Sequence, residues 1–158
     1  MAGTIRHKSN AGWEIQAPVD AGTSVEIGDL LFLTSTGYAT PVSSMGSFTG
    51  SPDEGELHET FLGVSNSATT GNETTDTNIS VAVDGHFEYP VTALGEASIV
   101  MSYVGGVTSG GALLDQQLQI VATIGDAIGY LVAPAALGDT RLKCRLLSSL
   151  GQPVQEVV

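Results

Sequence analysis

No stretch of this chain stays apolar for long. Short hydrophobic runs are broken every few positions by Gly, Asn, Asp, Ser or Pro, as in VEIGDLLFLTSTGYATPV at 25–42. An amphipathic helix needs ten or more residues of 3.6-fold periodicity, and such punctuation leaves little room for one. What it permits is strands leaving and entering tight turns. Strands are expected at residues 4–8, 13–16, 30–34, 37–41, 61–65, 78–83, 86–90, 97–104, 118–122, 127–131 and 141–147. Asp84-Gly85, between VAV and HFEY, is the favoured signal for a two-residue hairpin turn. LLDQQL at 113–118 is the best candidate for a helical turn, and 91–97 is a weaker one. The expectation is an all-β protein: a compact β-barrel or β-sandwich with long polar loops and little helix.

The 158 residues, 42% of them hydrophobic, suit one domain that buries a core without disulfides or metals. Residues 1–20 read as an N-terminal arm with the first strands, and 21–158 as the core. The polar stretches 43–60 and 66–78 read as long surface loops, which inside a compact domain are functional or mobile. Ile-Gly-Asp occurs twice, at 27–29 and 124–126, each time ahead of an apolar run. Gly tolerates positive φ and Asp bonds local backbone, so Gly28-Asp29 and Gly125-Asp126 are expected to be equivalent structural turns, as is Asp84-Gly85.

Charge is the second constraint. Seventeen acids face five bases, a net charge of −12, and no Lys or Arg occurs between Ser9 and Thr140. Such a chain repels phosphate backbones, which argues against nucleic-acid binding. No run approaches the twenty or so apolar residues of a membrane helix, and the start, MAGTIRHKSNAGW, lacks a signal-peptide core, so a cytoplasmic origin is expected. One reading is simply an acidic soluble domain. Another notes that the bases alternate in strand fashion, Arg6-His7-Lys8 and Arg141-Leu142-Lys143-Cys144-Arg145. If the terminal strands lie side by side, one basic patch forms on an acidic body and can dock an acidic protein partner.

Signs of catalysis are missing. His58 beside Glu59, near Asp53, Glu54 and Glu56, is better read as a solvated loop than as a metal site, which needs rigid surroundings. There is no Gly-x-Ser-x-Gly elbow, and Gly105-Gly106 and Gly110-Gly111 lack the lysine of a phosphate loop. Cys144 falls mid-strand, where a thiol fills core space. Biotinyl and lipoyl carrier barrels also use Gly-Asp turns, but they need a lysine at a hairpin tip, and Asp84-Gly85 supplies none. No catalytic residue, metal or cofactor is expected.

Taken in order, VEIGDLLFL, GYATPV, FLGVSNSA, ISVAVDGHFEYPV, IGDAIGYLVAP and RLKCRLL form a pattern across most of residues 22–147. That pattern resembles the small β-rich decoration, or cement, proteins of tailed-bacteriophage capsids. The resemblance implies a non-enzymatic structural protein, a homotrimer binding the major capsid protein on the outer surface of the virion. Contacts made by each subunit of such an oligomer add through effective concentration. Candidates for anchoring are Arg6, Lys8, Trp13, Arg141, Lys143 and Arg145. Candidates for self-association, on the less charged stretches, are Phe87, Tyr89, Val91, Ile99, Met101 and Tyr103. The rival is a carbohydrate- or receptor-binding β module of a phage fibre, with the 43–60 and 66–78 loops as its recognition surface.

Overall fold

In the computed structural model, which describes residues 6–7, 13–45 and 54–149, the apolar runs become strands. In chain order they are β1 (Arg6–His7), β2 (Trp13–Val19), β3 (Ser24–Val25), β4 (Leu30–Leu33), β5 (Ala39–Pro41) and β6 (Phe61–Ser65). Then come β7 (Thr69–Thr70), β8 (Thr77–Pro90), β9 (Tyr103–Ser109), β10 (Ala112–Ile120), β11 (Gly129–Leu131) and β12 (Arg141–Leu147). The main sheet is antiparallel and runs β10-β9-β11-β12-β8-β6-β4-β5, with β1 and β2 also paired to β8. It curls until its ends nearly meet. The 3-10 turn Val42–Ser44 that follows β5 lies beside β10, and both the amide and the hydroxyl of Ser43 donate to the Asp115 carboxylate at 2.7 Å. The result is an all-β, barrel-like single domain.

Two cores share one wall. Leu30, Phe61, Val64 and Ala82 face the larger core, with Phe87, Tyr89, Leu118, Leu142 and Leu146. Leu31, Leu62, Ile79 and Val81 face a smaller one, completed by Ala17 and Val19 of β2, Val25 and Ala39. Successive side chains of a strand point to opposite faces. A strand buried on both faces therefore reads as a continuous apolar run, which is why LLFL and FLGV do not alternate. The strand expected at 13–16 is present and runs on to Val19, and β2 closes the second core with Ala17 and Val19.

β8 is the largest correction. Asp84 and Gly85 form no hairpin; they lie inside one 14-residue strand. On one edge β8 pairs β2 from Val19↔Thr77 to Trp13↔Asp84, and at its far end it pairs β12 from Leu147↔Asp84 to Arg141↔Pro90. The break in pattern comes from a bulge: Trp13 opposes Asp84 while Glu14 opposes Ala82, leaving Val83 over. One extra residue moves the following side chains to the other face. Ile79 and Val81 thus enter the smaller core, whereas Phe87 and Tyr89 enter the larger. The Val83 carbonyl is taken by the Ser148 amide at 2.7 Å.

The two Ile-Gly-Asp segments are not equivalent. Gly28 has φ 95° and ends a turn in which Asp29 N–H donates to the Glu26 carbonyl. Asp29 is 5% exposed, and its carboxylate accepts from the Glu26 amide and from Gln116 Nε2, each at 2.8 Å. The turn is held further by Gly28 N–H to the Ser65 carbonyl and by the buried Tyr89 hydroxyl, which donates to the Gly28 carbonyl at 2.7 Å. By contrast Ile124–Asp126 is an exposed 3-10 turn whose Gly125 needs no positive φ, and Asp126 merely accepts from the Thr123 hydroxyl.

Other expectations shift for definable reasons. LLDQQL is strand, within β10. Between Leu113↔Thr108 and Leu118↔Gly106, β10 advances five residues while β9 advances two. The surplus carries Asp115 to Ser43 and Gln116 to Asp29, so the irregular segment fastens the barrel's seam. YVGGVTS, of which only the first two residues fall in an expected strand, is β9; a Cβ on Gly105 would stand 2.5 Å from the Asp126 carbonyl, and one on Gly106 2.7 Å from Leu57 Cδ2. The glycines allow close approach of the layer above the strand. That layer includes α1 (Glu54–Thr60), which replaces part of the loop expected at 43–60 and buries Leu57. Of the strand expected at 97–104 only the last residues join β9; Ile99–Ser102 is a turn with Met101 at φ 72°. Within 66–78, Glu73 accepts from the Thr70 and Gly71 amides, and β7 pairs β3.

Candidate functional site

Because Leu142, Cys144 and Leu146 point into the core, the alternating Arg141, Lys143 and Arg145 all stand on the outer face of β12. Across the sheet the register continues the row: Arg145 opposes Tyr130 of β11 on one side and His86 of β8 on the other, and Tyr130 opposes Tyr103 of β9. Trp13 opposes Asp84 at the β2 end and is 77% exposed. The outer face of β9-β11-β12-β8 thus carries cations and aromatic rings side by side.

Two ion pairs order it. Arg145 Nε and Nη2 grip the Asp84 carboxylate at 2.9 and 2.7 Å, and Nη1 donates to the Tyr130 hydroxyl at 3.1 Å. This two-pronged contact holds the Asp84 carboxyl below its ordinary range. Arg141 Nε bonds Glu88 at 2.9 Å. Lys143 stands between them and is exposed. Paired guanidiniums lose little freedom on meeting a partner, whereas Lys143 and Trp13 offer the most accessible charge and apolar area.

The terminal strands do not lie side by side. β1 and β12 both pair β8, so Arg6 and Lys143 are register neighbours of the same Glu88. Lys8 lies outside the described residues.

Phe87, Tyr89 and Val91 cannot serve self-association, being 2%, 0% and 8% exposed. They alternate inward after the bulge, and Phe87 meets Tyr89 edge to face at 6.1 Å. Ile99, Met101 and Tyr103 remain at the surface. His58 is not in a solvated loop: it sits on α1, half-buried, its Nδ1–H donating to the Ala127 carbonyl. It lines a shallow cleft of about 110 Å³ with Tyr103, Ile124, Tyr130 and Leu147. Among the described residues no group of three or more His, Cys, Asp or Glu side chains is placed to hold a metal ion. Cys144 is buried, and burial pushes its thiol pKa far up, which makes it a poor nucleophile.

Sequence reasoning missed Tyr130 and the structural use of Asp84. Tyr130 follows a glycine in IGYL and carried no motif of its own; the alternation of β11 against β12 was the available signal. Scanned against models of protein families the chain matches none, and no curated protein matches its sequence.

Proposed function

We propose that this chain is a non-enzymatic decoration protein that binds the outer surface of a phage shell as an oligomer and stabilises it. The observation that carries the reading is the joining of Trp13, Arg141, Lys143 and Arg145 on one sheet face of a chain whose net charge is −12. On such a face the cations would steer the encounter with an acidic surface while the aromatic rings supply contact area. The partner is the major capsid protein, presented at many symmetry-related positions. The acidic remainder keeps the decorated particle's exterior soluble.

The test is co-sedimentation with undecorated shells. Arg145 and Arg141 hold internal ion pairs, so their reversal would disturb the sheet. Lys143→Gln and Trp13→Ala change the exposed part alone, and the neutral glutamine avoids setting a second carboxylate opposite Glu88. Truncation of a central aromatic anchor typically weakens an interface by at least tenfold. Each variant is expected to reduce attachment by that factor with its unfolding curve unchanged, and raising salt is expected to weaken wild-type attachment. Attachment unaffected by either variant would sink the proposal.

A further inference from the structure

Asp84-Gly85 is the chain's one Asp-Gly sequence. Such a linkage is chemically labile, because glycine has no Cβ to shield its amide and adapts to the bend that ring closure demands. The Gly85 nitrogen attacks Asp84 Cγ and loses its proton, the carboxyl group loses hydroxyl, and one water leaves as a five-membered succinimide forms. Water then adds back. Entering at Cγ it restores aspartate. Entering at the former main-chain carbonyl it leaves the chain running through Cγ, as isoaspartate. Mass and composition do not change.

The fold engages both parties to this reaction. Leu147 N–H bonds the Ile128 carbonyl and the Lys143 carbonyl accepts from Val132, so odd-numbered residues of β12 direct their backbone groups away from β8. Even-numbered ones face β8, as Ser148 does when its amide bonds the Val83 carbonyl. Leu146 and its register partner Gly85 are therefore a hydrogen-bonded pair, in which the Gly85 amide donates to the Leu146 carbonyl. That occupies the nucleophile. Arg145 Nε and Nη2 fix the Asp84 carboxylate at 2.9 and 2.7 Å and favour its ionised form, which does not expel hydroxyl. The extended backbone of β8 also turns the nitrogen away from Cγ.

We propose that Asp84-Gly85 is a site of spontaneous aspartate isomerisation that is open only in the unfolded chain, and that the product cannot rebuild β8. Isoaspartate adds one methylene to the main chain and moves the carboxylate onto Cα. Set between Ala82 and Phe87, it displaces the register of every residue that follows. Phe87 and Tyr89 then miss the larger core, and the carboxylate misses Arg145. Time spent unfolded thus becomes an irreversible loss of chains able to fold.

The test ages the full chain at physiological pH and temperature, folded in buffer and unfolded in guanidinium chloride. A synthetic peptide of residues 81–87, VAVDGHF, is the unprotected reference. Peptide mapping with electron-transfer fragmentation distinguishes the two linkages at equal mass. The unfolded chain is expected to isomerise at the peptide's rate and the folded chain at least about tenfold more slowly, since modification through an open state follows the open population. A smaller difference overturns the protection. The aged unfolded sample is then returned to native buffer and separated by size exclusion. Isoaspartate at position 84 is expected in the misfolded fraction and to be depleted from the native peak; equal proportions in both overturn the claim that β8 cannot be rebuilt. Asp84→Glu, whose longer side chain closes such a ring far less readily, is aged in parallel and should keep its ability to refold. Loss of refolding as fast as in wild type would trace the damage to other residues and overturn it too.

Discussion

Replacing Asp29 with Ala removes a buried anchor of the barrel's seam. Its carboxylate accepts two hydrogen bonds at 2.8 Å, from the Glu26 amide and from Gln116 Nε2. Hydrogen bonds to a charged group contribute about 1.5–3 kcal/mol each, but burying the charge offsets part of that sum. The deletion also leaves Gln116 Nε2 with only its longer bond to the Ile27 carbonyl at 3.4 Å, beside an Oε1 that has no partner. A net loss of about 3 kcal/mol follows, or ~6–12 °C in Tm for a domain of this size. The pH dependence is the sharper test. Burial raises the Asp29 carboxyl above its ordinary value. Above roughly pH 3.9 the native state therefore holds this proton longer than the unfolded chain does. Its contribution is largest below that pH and declines as pH rises through the folded value. Urea unfolding of wild type and Asp29→Ala from pH 3 to 7 should show a stability difference that shrinks as pH increases. A difference that grows with pH, or an Asp29→Ala protein as stable as wild type at every pH, would refute the reasoning.

The two Ile-Gly-Asp turns should respond differently to the same change. Gly28→Ala meets φ 95° and is expected to lose about 1–2 kcal/mol by calorimetry, while Gly125→Ala, whose Cβ meets nothing within 4 Å, should stay within about 0.5 kcal/mol. Equal losses would restore their equivalence. Asp84 should show the opposite pH signature to Asp29: its carboxyl is held low by Arg145, so the pair's stabilisation is present above the ordinary carboxylate value and is lost as pH falls through the folded one. Both partners are partly exposed, so Asp84→Asn is expected to remove only about 0.5–1 kcal/mol at pH 7 and nothing at low pH, as read by urea titration.

The all-β architecture was legible because turn residues and apolar runs act locally. LLFL, FLGVS and RLKCRLL all emerged as strands, and the core face of β12 followed from alternation alone. What sequence could not show was decided at a distance. Asp-Gly reads as a turn by its own chemistry, but at 84–85 strands from both ends of the chain pair with the backbone and hold it extended. Asp115 and Gln116 look like part of a helical turn until the seam they fasten is in view. The glycines of β9 look like the end of a strand until the α1 layer above them is seen. Of the candidate anchoring residues, the common face of Arg141, Lys143 and Arg145 was readable from periodicity. That Glu88 and Asp84 interleave with them was not, since register across strands is set by tertiary pairing.

The dependence of β8 on β1, β2 and β12 has a consequence for the order in which the molecule forms. Arg6 is the register partner of Glu88, and Arg145 meets Asp84, across long intervening stretches of chain. Pairings that distant are late and slow, because closing the loop precedes any gain from the contact. During synthesis the wall of β4, β6 and β8 can be complete while the ribosome is still far from β12. The cationic face has no counterpart in such an intermediate. Under the proposed function, a chain competent to dock would then be one that has finished folding.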